Sequence, residues 1–338
     1  MTPLRTTLVL CDDDVRAVLA LDACVELQRQ AFMATTVPQA GRVPRSTLEA
    51  PSVGSTLGAM MAIAPDGTTA ACKVLTSAPA NRERGLPRSL STIVLLDLPT
   101  GFPIALLAGT YLTNVRTAAT AVLAIETLGH PGARELGLLG AGPIGALILD
   151  VLAARGGAWR VAVHAPTAAH REALAARFDA HERLRVRPVA DPRLAVAADV
   201  VVCATDGRAE AFDASWLPRA GVVVSIASRR HVAELPAAAL RGARVVVDDR
   251  HAACEEAAEF VGMPADTLVT LGEVLTYGVQ TAGDVTTGRV VFKSTGLALQ
   301  DVVTASAVYR LAVDAEVGQR VALAGGRSWL FGVGGGVS

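Results

Sequence analysis

The sequence predicts an α/β fold in which a doubly wound parallel unit is set inside an α+β unit, and three observations predict it. Leu136-Gly137-Leu138-Leu139 reads as a short buried strand and Ala146 to Ala154 as a helix, with Gly140-Ala141-Gly142-Pro143-Ile144-Gly145 between them. From Leu136 onward, continuous Val-rich runs alternate with helical stretches, as in parallel strands covered on both faces. Before that point the strands are short and alternating, and Lys293 to Val313 reads as a helix returning to that first region.

Taken in order, Leu8-Val9-Leu10 reads as a strand, and Asp12 to Asp14 supply N-caps for a helix over Val15 to Ala20. A second helix runs from about Asp22 to Thr35. Alternating strands follow at Ser46-Glu49, Thr56-Ala64 and Thr69-Thr76, with Pro65-Asp66-Gly67 as a turn. Ser91 to Asp97 and Pro103 to Ala108 complete an antiparallel meander, and Tyr111 to Leu128 reads as one long helix. Beyond the glycine turn, strands are expected at Val161-His164, Leu184-Val189, Asp199-Ala204, Gly221-Ala227 and Arg244-Asp248, with a helix at Ala168-Phe178. After Phe260 the chain reads as helical or irregular up to Lys293. The plan is discontinuous: residues 1–117 and 300–338 form the first domain, and residues 118–299 form an inserted Rossmann dinucleotide-binding domain.

The chain has 338 residues, 51% of them hydrophobic and only 4% aromatic, so its cores are built from Ala, Val and Leu. A net charge of −1 offers neither a nucleic-acid face nor a polybasic membrane patch. Cys11, Cys24, Cys72, Cys203 and Cys254 form no C-x-x-C pair and several lie in apolar runs. Reduced thiols in a cytoplasmic protein are expected. The apolar start is broken by Asp12-Asp13-Asp14, so no signal peptide is expected, and no long uncharged apolar stretch suggests a membrane span. The six His residues lack ligand spacing and the cysteines do not cluster, so no metal is expected.

The glycine turn has the G-x-G-x-x-G spacing, between a strand and a helix, that a dinucleotide fingerprint requires. Gly140 allows the tight turn, Gly142 lets backbone approach a pyrophosphate, and Gly145 lets helix and strand pack. Pro143 and Ile144 open the helix whose free N–H groups and positive dipole end face phosphate. An acidic residue at the end of the next strand would bind the adenosine ribose, but Val163-His164-Ala165-Pro166-Thr167 has none. His164, Thr167, His170 and Arg171 can instead receive a 2′-phosphate. NADPH is favoured, with NADH as the alternative through a backbone-mediated site.

Lys73 stands in the apolar run Ala70-Ala71-Cys72-Lys73-Val74-Leu75. An ammonium among buried residues is costly unless paired or lowered in pKa. It is therefore either a general acid/base or carboxylate ligand, or a side chain reaching out from a strand end. Arg116 lies near the start of a helix of small residues, where it captures a carboxylate bidentately or pairs within the fold. Arg45, after Val43-Pro44, is a weaker candidate of the same kind. Asn81 to Arg88 is a charged connection that reads equally as a lid or a solvated loop, and Glu255, Glu256 and Glu259 read as an exposed acidic face.

These stretches together resemble the ornithine cyclodeaminase/mu-crystallin family over roughly residues 8 to 315. The resemblance is carried by Lys73 in its strand, Asn81 to Pro87, Leu96-Asp97-Leu98-Pro99-Thr100-Gly101-Phe102-Pro103, and Leu112-Thr113-Asn114-Val115-Arg116-Thr117-Ala118-Ala119. It continues through Leu139-Gly140-Ala141-Gly142, Asp199-Val200-Val201-Val202-Cys203-Ala204-Thr205, Leu271-Gly272-Glu273-Val274 and Phe292-Lys293-Ser294-Thr295-Gly296-Leu297-Ala298-Leu299-Gln300-Asp301. It implies a homodimer whose first domain supplies the dimer interface and the substrate site, and a cleft between domains for an amino or imino acid. It implies hydride transfer between nicotinamide C4 and the α-carbon of an amino acid or its imine. By position, Arg45, Lys73 and Arg116 match the residues that grip the α-carboxylate, with Lys73 also the proton donor or acceptor. Thr117, Ala204 and Thr205 join the glycine turn as cofactor contacts.

The departures narrow the activity. Where cyclodeaminases carry an Asp after the fifth Rossmann strand, alignment on Glu234-Leu235 places Ser228, which lacks a base of its own. The acid that would hold a diamine's far amino group falls on Gly58, and Met60-Met61 stands where Met-Pro is usual. Arg229 and Arg230 suggest a second anionic group on the substrate, as for an N-substituted amino acid in 2,3-diaminopropionate synthesis, or are exposed turn residues. An imine reductase or amino-acid dehydrogenase is the leading expectation. A cyclodeaminase and a non-catalytic, crystallin-like binding protein are the alternatives.

Overall fold

The computed structural model describes residues 6–37, 43–206, 209–227, 231–278 and 288–323. The chain opens with β1 (Thr7–Leu10), α1 (Asp12–Val18) and α2 (Leu21–Ala34). A meander of β2 (Ser46–Ala50), β3 (Ser55–Ile63), β4 (Thr69–Ser77), β5 (Ser89–Asp97) and β6 (Phe102–Ala108) follows, then the long helix α3 (Gly109–Leu128). With β15 (Gln319–Val321), these strands make a seven-stranded sheet in the order β15-β1-β6-β5-β4-β3-β2. It is antiparallel except where β1 runs parallel to β6.

The second sheet is built from β7 (Glu135–Leu139), α4 (Pro143–Ala154), β8 (Trp159–His164), α5 (Ala168–Ala176), β9 (Leu184–Pro188), α6 (Arg193–Val196) and β10 (Val200–Cys203). It continues with β11 (Gly221–Ser225), α7 (Ala237–Leu240), β12 (Arg244–Val247), α8 (Arg250–Glu256), β13 (Val269–Thr270), α9 (Leu271–Tyr277), β14 (Arg289–Lys293) and α10 (Ala298–Asp314). Its strand order is β13-β12-β14-β11-β10-β7-β8-β9, parallel throughout. Chain order reverses between β7 and β10, which makes that edge the topological switch point where an open α/β sheet binds its ligand.

Two expectations are corrected here. The stretch after Phe260 contains strands, and β14 is an interior one, paired on β11 and β12. The final helix begins at Ala298, because Arg289–Lys293 is spent on that strand. The boundaries drawn at 117/118 and 299/300 fall inside α3 and α10; both helices pack on the inner face of the first sheet, and α3 also reaches β11 of the second. Their composition explains the position. From Val115 to Ile125, α3 is buried on all sides, and so is α10 from Ala298 to Val308. Stretches so largely apolar have to be covered all round, and their charged exceptions, Arg116 and Asp301, pair with each other.

Register decides which side chains of the first sheet face these helices. Lys73 pairs across to Met60 and Ile93, and all three point inward and are buried. The alternate set, including Leu57, Met61, Ile63, Val74 and Leu90, points outward and is exposed.

Candidate active site

The glycine turn stands at the switch point, and each glycine has a steric reason. Gly140 has φ +121°, and a Cβ there would come within 2.3 Å of the Ala204 carbonyl oxygen, so the turns after β7 and β10 touch. A Cβ on Gly145 would lie 2.2 Å from the Gly140 oxygen, which lets α4 pack directly on the turn. A Cβ on Gly142 would meet nothing within 4 Å, so space opens over the residue that caps α4, with Pro143 and Ile144 as its first helical residues. That cradle fits a pyrophosphate: small backbone, open space and unpaired helix-terminal N–H groups.

Around it, the Thr117 hydroxyl donates to Thr113 O at 2.7 Å, within its own helix. His164, at the end of β8, sets Nδ1 3.2 Å from Val189 O, and Thr167 is exposed at the N-cap of α5. Arg171 folds back over that turn and donates to Ala165 O at 3.0 Å. Thr205 is anchored by Glu234, whose carboxylate accepts from Thr205 N at 3.1 Å and from its hydroxyl at 2.6 Å.

The second cluster collects at the C-terminal end of β14, three strands along the same edge, or about 14 Å at ordinary strand spacing. Lys73 is the middle residue of β4 and 2% exposed, so the reading of a side chain reaching out from a strand end does not hold. Its Nζ lies 2.6 Å from Asp301 Oδ2, while Arg116 Nε lies 3.3 Å from Asp301 Oδ1. Arg116 Nη1 also donates to Gln300 Oε1 at 3.3 Å. That amide is fixed by its own donation to Thr120 at 2.6 Å and to Gln28 at 3.1 Å. Arg45 donates to Thr295 O at 2.7 Å and pairs with Glu256 at 3.2 Å.

Burial pushes the Lys73 ammonium down to about 8; Asp301 pulls it up, and Arg116 and Arg45 push it further down. Among these groups three cations face two carboxylates, so one positive charge is left over. The arrangement suits one incoming carboxylate beside an amine able to exchange a proton near neutral pH.

Several of these residues escaped the sequence reading. Asp301 is the anion that organises both cations, and Asp248 and Glu234 are buried carboxylates behind the site. Of the acidic face expected at Glu255, Glu256 and Glu259, Glu255 is exposed, and the other two are corrected. Glu256 faces Arg45, and the Glu259 side chain is 1% exposed and accepts from Lys293 at 2.8 Å, because Lys293 is buried on β14 and needs an anion. Lys293 also donates to Ser225 Oγ at 2.9 Å. The Asn81–Arg88 connection is tied across to the dinucleotide sheet: Arg82 donates to Asp206 at 2.6 Å and Arg88 pairs with the same carboxylate. Ser228, Arg229 and Arg230 lie outside the described residues. Among the described residues no group of three His, Cys, Asp or Glu could hold a metal ion, no helix is long and apolar enough to cross a membrane, and all five cysteines are free thiols.

Comparison with known proteins gives this geometry its context. The family model of the ornithine cyclodeaminase/mu-crystallin family matches residues 5–316. The chain belongs to that family. It is 28% identical over 326 residues to an alanine dehydrogenase of Archaeoglobus fulgidus, covering 93% of this chain and 98% of the relative. It is 28% identical over 258 residues to a Delta(1)-pyrroline-2-carboxylate reductase of Bacillus cereus, covering 74% of this chain and 79% of the relative. A solved archaeal alanine dehydrogenase dimer with bound NAD superposes with a TM-score of 0.87 at 25% identity, covering 94% of this chain and all of the other.

Proposed function

We propose that this family member is an NAD(P)-dependent oxidoreductase acting on the C–N bond of an amino acid or its imine, most simply as a reductase of a small imino acid. The observation that carries the reading is the buried Lys73–Asp301–Arg116 cluster on the same sheet edge as the Gly140–Gly145 turn. The alanine dehydrogenase and pyrroline-2-carboxylate reductase relatives support it, since both names describe redox chemistry at a carbon beside a carboxylate.

The turn at Gly140, Gly142 and Gly145, with Pro143, Ile144, Ala204 and Thr205 around it, holds the dinucleotide; Thr117 lines its approach from α3. A nicotinamide bound there supplies or accepts the hydride at the α-carbon. Arg116 and Arg45 receive the α-carboxylate, which orients the C–N bond before reaction. Lys73 Nζ delivers a proton to the substrate nitrogen during reduction and takes one away during oxidation. Asp301 keeps the ammonium paired until substrate arrives. Helices α3 and α10 close the cluster off from water on the sheet side.

The cofactor is NADPH. The end of β8 carries no acid to hold a ribose 2′-hydroxyl, and Arg171, His164 and Thr167 surround the turn where a 2′-phosphate would lie. Replacing Arg171 with Ala raises KM for NADPH and leaves KM for NADH unchanged; an equal effect on both removes the arginine from phosphate recognition. The substrate is a small amino or imino acid, the chain works as a homodimer, and its free thiols support a cytoplasmic setting.

The reading is tested by following reduced-nicotinamide absorbance and ammonia in the same reactions, with cyclic imino acids, 2-oxo acids plus amines, common amino acids, ornithine and lysine. Stoichiometric cofactor change is expected. Ammonia release without net cofactor change identifies a cyclodeaminase instead, and saturable cofactor binding without turnover identifies a binding protein.

A further inference from the structure

Behind the carboxylate-binding cluster lies a charged group that has no cationic partner among the described residues. Asp248 is the first residue after β12, on the dinucleotide sheet, and it is 1% exposed. Its Oδ2 accepts from Ser294 Oγ at 3.0 Å, Thr295 N at 2.6 Å and Gly296 N at 2.6 Å. Its Oδ1 accepts from Thr295 Oγ1 at 3.0 Å and Asp249 N at 2.9 Å. Five donors converge on one side chain, and an ionised carboxylate is the form that accepts them all. Burying such an anion is costly, so an arrangement this specific calls for a reason beyond packing.

The reason lies in what the 294–296 turn touches. It joins β14 to α10. Its Thr295 carbonyl accepts from Arg45 at 2.7 Å. Its Gly296 has φ +85° and sits so close to Arg116 that a Cβ there would lie 3.1 Å from both terminal guanidinium nitrogens. The helix it launches presents Gln300 to Arg116 and Asp301 to both Arg116 and Lys73. One short turn is therefore the shared support of all three cations, and Asp248 holds that turn at three consecutive residues.

We propose that Asp248 is a positioning residue that sets the geometry of the substrate-carboxylate grip from the dinucleotide sheet, without touching substrate. In Asp248→Asn the side chain keeps its shape but loses an acceptor and turns an amide N–H₂ toward groups that are themselves donors. The turn then shifts, and Arg45 and Arg116 lose their common reference.

The proposal rests on the reading of Arg45, Lys73 and Arg116 as a carboxylate grip, and the test separates the two. Calorimetry measures the Kd of pyrrole-2-carboxylate, a planar ring carboxylate, and nucleotide fluorescence measures the Kd of NADPH. In Asp248→Asn the Kd for pyrrole-2-carboxylate rises at least tenfold while the Kd for NADPH stays within twofold. Ser294→Ala removes one donor, keeps the carboxylate charged and moves the first constant in the same direction, by about threefold. An unchanged pyrrole-2-carboxylate Kd in either folded variant, or parallel loss of both affinities, overturns the proposal, and Ser294→Ala decides if Asp248→Asn does not fold. If the wild-type chain does not bind pyrrole-2-carboxylate, or Arg116→Met leaves binding unchanged, the grip reading fails, and the proposal with it.

Discussion

Lys73 shows how a single residue acquires chemistry from its surroundings. An exposed lysine would be almost wholly protonated at neutral pH; burial brings this one down to about 8, with Asp301 opposing and Arg116 and Arg45 assisting. With Lys73 as the proposed proton donor, reduction of an imine needs the protonated amine, so its kcat/KM falls as pH rises through about 8. Oxidation of the amino acid needs the neutral amine, so its rate rises through the same region. Asp301→Asn removes the anion that holds the proton on, and the inflection moves to lower pH. An inflection that stays in place assigns it to another group. Lys73→Met lowers turnover by roughly 10²- to 10⁴-fold, the usual worth of a general acid or base. NADPH binding, measured by fluorescence, is retained.

At the scale of elements, the β7–turn–α4 unit makes two glycines experimentally distinct. A methyl on Gly145 runs into the Gly140 carbonyl, which is backbone and cannot step aside. Gly145→Ala therefore lowers stability by about 1–3 kcal/mol, the usual cost of overpacking, read in the thermal midpoint. A methyl on Gly142 meets nothing within 4 Å in the protein, so on the proposed reading it obstructs the dinucleotide alone. Gly142→Ala keeps the midpoint and weakens NADPH about tenfold, which corresponds to ~1.4 kcal/mol; a lowered midpoint with unchanged affinity contradicts the assignment. This unit was legible in the sequence because its glycines are demanded by local geometry. Strand β14 was not: Val290-Val291-Phe292 is too short for periodicity to separate a buried strand from the approach to a helix, and its partners β11 and β12 precede it out of spatial order. Lys73 could be found as a charge inside an apolar run. The same signal was present at Lys293, after Val290-Val291-Phe292, and at Asp248, after Val245-Val246-Val247. What no spacing could supply was the pairing. Asp301 meets Lys73 and Arg116, and Glu259 meets Lys293, only through tertiary contact.

For the whole molecule, the first sheet has, among the described residues, one covered face and one bare one. Inward residues pack on α3 and α10, whereas Leu57, Met61 and Val74 stand exposed on adjoining strands, Met61 at 48% and Val74 at 41%. Leu48 and Leu90 extend the same face across β2 and β5. An apolar sheet face of that width is characteristic of an interaction surface. A second copy of the chain is the occupant proposed here, because the archaeal alanine dehydrogenase that superposes on it was solved as a dimer. Light scattering should then return twice the chain's mass, and Met61→Glu with Val74→Glu should return a monomer. The consequence for catalysis follows from β4 itself: Val74 stands on the exposed face, and Lys73, its neighbour, faces Asp301 on the opposite side of the same strand. If a second copy covers the outer face, removing it uncovers the strand that carries Lys73, the proposed proton-transfer amine. The monomeric variant should accordingly keep its NADPH affinity, which depends on the other sheet, and lose turnover. A wild-type chain that is monomeric at micromolar concentration would leave the bare face without its second copy, and a monomeric variant with full turnover would show that β4 holds Lys73 in place unaided.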